Sequence, residues 1–290
     1  MRSFDYIESG KTLLTPHTTS LLAAIHEAKG RQSIQTTIRP DILGTLVAVA
    51  RIQSTDASNR IEGISTSDSR LNDLVSEKVT PRNRNEEEIA GYRDALSVIH
   101  ESHDYIPITP NVILQLHRDL FRHTPLTFAG HFKDSDNVII ERDAHGTSTV
   151  RFAPPSALVT PELIERACSA YTKAIRDGHT DPLLAIAMFI LDFTCIHPFN
   201  DGNGRMSRLL TLLMLCRNGY MVGKYISIEH LIEQSKSTYY EALAASTQGW
   251  DDNAMRHSRT TCLASYCPRA RNSTNASISR QAAERREHRE

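Results

Sequence analysis

The sequence has no apolar stretch long enough to cross a membrane. Its longest uninterrupted apolar run, residues 183–191, spans nine residues and ends at Asp192, whereas a membrane-spanning helix needs about 20. The first residues, Met-Arg-Ser-Phe-Asp, lack the apolar core of a secretory signal peptide. We therefore expect a cytoplasmic protein that has no membrane partner.

Cysteine is also scarce, and its distribution does not favour a disulfide or zinc scaffold. The five cysteines are odd in number and scattered along the chain, which indicates a reducing compartment. Cys262 and Cys267 lack the further ligands that a structural zinc site needs. A P-loop and a dinucleotide-binding fingerprint are missing as well, so neither of those nucleotide sites is expected.

The formal net charge is only −1, but it is unevenly distributed. Residues 256–290 contain eight arginines, no lysine and three glutamates, and they are poor in large apolar side chains. Such a composition cannot bury enough surface to offset the entropy of ordering, so we expect a basic, disordered tail over 254–290. An arginine-rich tail can contact nucleic acid, but no helix-turn-helix or zinc pattern accompanies it, and nucleic acid is not the expected partner.

Helical periodicity dominates the remainder of the chain. Two short β-branched segments, 137–141 and 149–152, flank a loop and have the pattern of a β-hairpin. The predicted fold class is therefore all-α, a helical bundle that carries one hairpin. The predicted helices cover residues 19–28, 41–52, 86–102, 109–121, 161–177, 182–196 and 205–217.

The segment HPFNDGNGRMSR, residues 197–208, combines the groups that phosphate chemistry needs. Pro198 disfavours the helical conformation at His197, so the imidazole should project from a loop, where it can act as a base. Gly202 and Gly204 let backbone amides approach a ligand closely, and the start of the following helix attracts anions.

Charged side chains flank this glycine turn. Arg205 and Arg208 lie three residues apart, hence on one helical face, and can grip phosphate oxygens. Asp201 is a hard oxygen ligand suited to Mg²⁺ that is shared with phosphates. A glycine-rich helix cap with a packed histidine is the alternative, but it leaves the two arginines and the acid unexplained. The segment predicts a phosphate-transfer site.

This segment resembles the signature of Fic proteins, HPFx(D/E)GNGRxxR, with every fixed position present. The resemblance extends over about residues 40–250. It implies AMPylation, in which AMP moves from ATP to a hydroxyl of a target protein, and also onto the enzyme itself. It further implies a Fic-type bundle whose hairpin is a flap that holds a target segment through Val138, Ile139 and Ile140.

The resemblance also implies a role for each residue of the site. His197 would be the catalytic base, Asp201 would hold Mg²⁺ against the phosphates of ATP, and Phe199 would anchor the loop by packing. The implied nucleotide-binding residues are Gly202, Asn203, Gly204, Arg205, Arg208, Tyr239 and Tyr240.

Residues 58–63, SNRIEG, resemble the inhibitory motif (S/T)xxxE(G/N) that some Fic proteins carry before the core. Ser58 and Glu62 are four residues apart and share a helical face, and Gly63 suits the end of a helix. The resemblance implies that Glu62 pairs with Arg208 and holds ATP in an unproductive pose. Some relatives use the same glutamate to remove AMP from the target.

We therefore expect three regions: an N-terminal helical region over 1–105 with the inhibitory motif, a Fic core over 106–253, and the tail. Other functions stay open, namely a nucleotide-binding regulatory or antitoxin-like protein with little turnover, a deAMPylase that uses Glu62, and a kinase-like enzyme that transfers the γ-phosphate. Apolar surface on the bundle allows a homodimer. After residue 253 the sequence departs from the aromatic, apolar helix that is usual in the family.

Overall fold

A computed structural model describes residues 3–250 except Arg39, residues 143–147 and Gln248. The side chains of residues 32–42 and 141–149 are not described either. The predicted tail over 254–290 and the loop of the hairpin lie outside the described residues. The division of the chain near residues 105 and 253 stays a prediction.

Within these residues the chain forms twelve α-helices and one two-stranded sheet, so the predicted all-α fold with one hairpin is confirmed. None of the helices in this part of the chain is long and apolar enough to cross a membrane. The elements are α1 (Tyr6–Leu13), α2 (Pro16–Ile38), α3 (Pro40–Ile61), α4 (Asp68–Val75), α5 (Arg84–Ser102), α6 (Pro110–Leu120), β1 (Ile139–Arg142), β2 (Ser148–Phe152), α7 (Thr160–Asp177), α8 (Pro182–Ile196), α9 (Asn203–Arg217), α10 (Val222–Tyr225), α11 (Ile228–Gln234) and α12 (Lys236–Thr247).

Helix α8 forms the centre of the main core and packs against α7 and α9. It begins where Asp181 accepts a hydrogen bond from the Leu183 amide at 2.9 Å, with Pro182 in the first turn, as a helix start requires. Asp192 is the buried carboxylate in this apolar helix. It accepts hydrogen bonds from Tyr6 Oη at 2.8 Å and Trp250 Nε1 at 2.7 Å, which ties both ends of the described chain to α8.

Helix α9 begins two residues earlier than the sequence predicts, at Asn203 rather than Arg205. Gly202 adopts the left-handed conformation, with φ of 80°, immediately before it. The Asn203 side chain accepts from the Phe199 amide at 3.0 Å and donates to the Phe199 carbonyl at 2.8 Å. These side-chain bonds hold Asn203 at the start of the helix, so that Asn203 and Gly204 belong to the first helical turn instead of the preceding loop.

The hairpin pairs β1 and β2 in antiparallel register, with Ile140 opposite Val150 and an irregularity between Ile139 and Ile140. Val138, Ile140 and Val150 are each more than half exposed. Large apolar side chains thus stand in solvent on a sheet whose edges have no further strand among the described residues. Such an edge can accept an added strand.

Candidate active site

His197 ends helix α8 in a strained backbone conformation. Its φ and ψ are 50° and 62°, in the left-handed region that non-glycine residues rarely adopt. The pKa of the imidazole is lowered to about 4, mainly by burial and also by the charge of Lys133, against the opposing effects of the Thr194 carbonyl, Glu62 and Asp201. The imidazole is therefore neutral near pH 7 and can accept a proton.

His117, a residue that the sequence analysis did not identify, packs against the loop that follows His197. The His117 ring stacks on Phe199 with 3.7 Å between ring centroids and 2° between planes. Its Nδ1 accepts from the Gly130 amide at 2.9 Å, so Nε2 carries the proton that is donated to the Asp201 carbonyl at 3.1 Å. Burial lowers the pKa of His117 to about 4, which keeps this tautomer neutral.

The first turn of α9 presents the amides of the glycine segment to the site. First-turn amides of a helix have no partner within the helix and lie at the positive end of its dipole. Gly204 leaves room for the Glu62 carboxylate, because a Cβ atom at this position would collide with Glu62 Oε1 and displace that side chain. The Glu62 side chain therefore lies directly on the predicted anion-binding turn.

Glu62 also pairs with Arg208, the last arginine of the signature. Arg208 Nη2 lies 2.7 Å from Glu62 Oε1, and the same guanidinium donates to the Ser58 side chain at 2.8 Å and the Ser58 carbonyl at 3.0 Å. Ser58 lies in the last turns of α3. Glu62 follows the helix end, where Gly63, with φ of 80°, closes it in a Schellman-type turn. Residues 58–63 thus wrap one side of the buried guanidinium.

Arg205 has different surroundings from Arg208, and its contact with phosphate stays a prediction. Its side chain is 1% exposed, with Nη1 2.7 Å from Glu88 Oε2 on α5 and the guanidinium stacked 5.0 Å from the centre of the Phe121 ring. Glu88 also accepts from Arg84 Nε at 2.8 Å. Helical spacing placed the two arginines on one face but could not reveal that a buried carboxylate engages the first.

We predict that Glu88→Gln destabilises the protein by about 3–5 kcal/mol, because removing one partner of a buried ion pair leaves the other charge uncompensated. Urea unfolding followed by circular dichroism measures this loss. Glu87→Gln, at the more exposed neighbouring position on α5, is the control and should stay within about 0.5 kcal/mol of the wild type. Equal stability of the Glu88 variant and the control would contradict the structural role assigned to Arg205.

Asp201 fits a site for a divalent cation that is shared with a phosphate ligand. Its side chain is 47% exposed, Oδ1 accepts from the Gly202 amide at 2.6 Å, and Oδ2 lies 3.7 Å from Arg84 Nη2. Mg²⁺ commonly takes one or two protein carboxylates and completes its shell with water and phosphate oxygens. A single half-exposed aspartate beside the amide turn has the chemistry that such a site needs.

The two tyrosines of α12 occupy different environments. Tyr239 is buried in a small cluster with Ile61 and Ile232, which gives it a packing role, whereas Tyr240 is only partly buried and has its pKa raised by burial and by the charge of Glu62. Both tyrosines therefore lie beside the segment that contains Ile61 and Glu62. The nucleotide contact of the two tyrosines stays a prediction.

Comparisons of sequence identify relatives of this chain. The sequence model of the Fic/DOC family matches residues 107–215. The chain is 28% identical over 145 residues to protein adenylyltransferase fic-1 of Caenorhabditis elegans, covering 47% of this chain and 25% of that protein. It is 24% identical over 202 residues to protein adenylyltransferase Fic of Nematostella vectensis, covering 66% of this chain and 42% of the relative. The chain thus spans less than half the length of either relative.

A solved structure has the same fold. The crystal structure of a Fic family protein from Desulfovibrio desulfuricans G20 superposes with a TM-score of 0.71 at 22% identity, covering 92% of this chain and 76% of that chain. The matched family domain contains the whole segment 197–208, including His197 at the end of α8 and Arg208 in α9. Residues 107–215 of this chain therefore match the Fic/DOC family in sequence, and the chain has the fold of a Fic family protein.

Proposed function

We propose that this chain is a protein AMPylase that transfers AMP from ATP to a hydroxyl of a target protein, and to itself, under restraint by Glu62. The observation that carries the proposal is the convergence of three features: a neutral imidazole at His197, the amides of the first turn of α9, and the guanidinium of Arg208. Each is a group that transfer of a nucleotide needs, because that reaction depends mainly on positioning and on stabilising charge. Relatives named protein adenylyltransferases support the same reaction.

In the proposed reaction His197 accepts the proton of the target hydroxyl. The hydroxyl oxygen attacks the α-phosphorus of ATP, the bond from that phosphorus to the bridging oxygen breaks, and pyrophosphate leaves. The first-turn amides of α9 and Arg208 bind the phosphates that become pyrophosphate. Asp201 would hold Mg²⁺, which supplies positive charge against the triphosphate when bound. The negative triphosphate also raises the pKa of the nearby imidazole, which strengthens it as a base.

Glu62 restrains the reaction by occupying this phosphate site. Its carboxylate engages Arg208 at 2.7 Å and lies over Gly204, where a terminal phosphate would bind. A carboxylate and a phosphate repel each other at such distances, so ATP cannot bind with its phosphates seated while Glu62 stays in place. The flap contributes the target-docking surface, with Val138, Ile140 and Val150 exposed at its edge.

The reaction class is tested by the position of the label that is transferred. Wild-type protein and the Glu62→Gly variant are incubated with Mg²⁺, cell lysate and ATP that is labelled at either the α- or the γ-phosphate, and the label incorporated by lysate alone is subtracted. Adenylyl transfer predicts labelled protein with the α-label alone. Labelling from the γ-phosphate would instead indicate a kinase, and binding of ATP without any labelled protein would favour the regulatory alternative.

We predict that the His197 imidazole remains neutral at pH values well below the ordinary pKa of histidine. Its pKa is lowered to about 4. The protonated form, which cannot act as a base, should therefore predominate only at a pH below that value. An NMR titration of the imidazole C2–H in the free protein measures this, with the assignment taken from His197→Ala. A midpoint at pH 6.5 or above would contradict the buried environment that the structure gives to this residue.

A further inference from the structure

Lys133 lies buried between the flap and the catalytic loop, and its ammonium joins three separate segments. The residue is 3% exposed. Nζ donates to the Asn137 side chain at 2.9 Å, to the Pro155 carbonyl at 2.8 Å and to the Ile196 carbonyl at 3.2 Å. Asn137 lies just before β1 and Pro155 shortly after β2, so both ends of the flap meet at one positive charge together with the last residue of α8.

The same segment holds the backbone on both sides of His197. The Lys133 backbone amide donates to the Pro198 carbonyl at 2.8 Å, while the Lys133 ammonium donates to the Ile196 carbonyl. Asn137 Nδ2 lies 3.5 Å from the His197 carbonyl oxygen and 3.3 Å from that of Phe199. Lys133 and Asn137 therefore engage the carbonyls of four consecutive residues, 196–199.

A backbone as strained as that of His197 needs such support. A non-glycine residue in the left-handed region costs about 1–3 kcal/mol and persists only where its surroundings determine the conformation. Lys133 supplies bonds to the carbonyls immediately before and after the strained residue. The charge of Lys133 also disfavours protonation of the imidazole, so the same side chain acts on the position and on the charge state of His197.

We propose that Lys133 is a positioning residue, which sets the backbone of His197 and joins it to both ends of the flap. Its effect on catalysis rests on the proposed function, whereas its effect on the loop does not. A target strand that binds the flap acts on the segment before β1. Lys133 and Asn137 link that segment directly to the loop that contains His197. Docking of the target and orientation of the imidazole are thereby coupled through one ammonium group.

The test compares Lys133→Met and Lys133→Arg, each in the Glu62→Gly background so that transfer is measurable. We expect Lys133→Met to lower kcat for AMP transfer at least about 10-fold, since small misplacements of catalytic groups are costly, with KM for ATP within about twofold. Lys133→Arg keeps the charge and several donors and should recover most of the kcat. Lys173→Met, which removes an exposed lysine from α7, is the matched control and should leave transfer unchanged.

Hydrogen exchange of the amides of His197 and of residues 199–203 tests the positioning without reference to activity. Lys133→Met should accelerate their exchange, and Lys173→Met should not. If Lys133→Met does not fold, Asn137→Ala removes the bonds to two of the four carbonyls and should change the same readouts in the same direction. Unchanged exchange, or a rise in KM for ATP that accounts for the whole loss of transfer, would overturn the proposal. Faster exchange in a protein without transfer activity would refute the proposed function and leave Lys133 as a positioning residue.

Discussion

Glu62→Gly is expected to raise AMP transfer about 10- to 100-fold, because a hydrogen bond to a charged group is worth about 1.5–3 kcal/mol. The substitution removes the only carboxylate that pairs with Arg208 within 4 Å among the described residues. It also uncovers the amides of the first turn of α9, over which Glu62 now lies. Both changes favour a triphosphate seated against this turn. Initial rates of α-label incorporation, measured for purified wild type and variant, give the ratio.

Two further variants separate the charge of Glu62 from its bulk. Glu62→Gln keeps the size of the side chain but removes the charge, so it should fall between the wild type and Glu62→Gly. Glu101→Gly removes an exposed glutamate near the end of α5 and should leave the rate at the wild-type level. Equal transfer by the wild type and Glu62→Gly, with both proteins folded and binding ATP, would show that Glu62 does not restrain this enzyme.

His197→Ala is expected to lower transfer by about 10²- to 10⁴-fold, the contribution that a positioned general base makes. The measurement is made in the Glu62→Gly background, where the starting rate is high. Binding of ATP should change little, because the phosphates contact α9 and Arg208 rather than the imidazole. Rates of α-label incorporation and calorimetric titration with ATP measure the two effects separately.

A histidine on the protein surface provides the control for this variant. His179→Ala, at an exposed position before α8, should retain the full rate. Transfer that persists undiminished in His197→Ala would exclude the imidazole as the base. Loss of ATP binding together with transfer would instead point to a collapsed loop, since His197 lies between the Lys133 and Asn137 contacts that hold it.

The local parts of this architecture could be predicted because their signals are local. Asp181-Pro182 and Thr109-Pro110 marked helix starts that the structure contains. The β-branched pairs around residues 137–152 marked the hairpin. Helices α1, α4 and α10–α12 were not predicted, because they are short or carry a weak apolar stripe and depend on packing against the core.

Contacts between distant segments could not be derived from spacing. Glu62 and Arg208 are 146 residues apart, and only the resemblance to Fic proteins suggested that they meet. The pairing of Arg205 with Glu88 could not be predicted either, because no local signal indicates that this residue of another helix lies against it. Lys133 and His117 were missed for the same reason, since a single lysine or histidine in an amphipathic sequence carries no sign of the carbonyls it will engage.

Intact-mass analysis shows whether the start of α9 seats a triphosphate beside His197 and whether Glu62 blocks it. Purified wild type, Glu62→Gly and the double variant with His197→Ala are incubated with ATP and Mg²⁺. We expect Glu62→Gly to gain the mass of one or more adenylyl groups, the wild type to gain far less, and the double variant to gain none. A gain of phosphate alone, or an equal adenylyl gain in the double variant, would contradict this expectation.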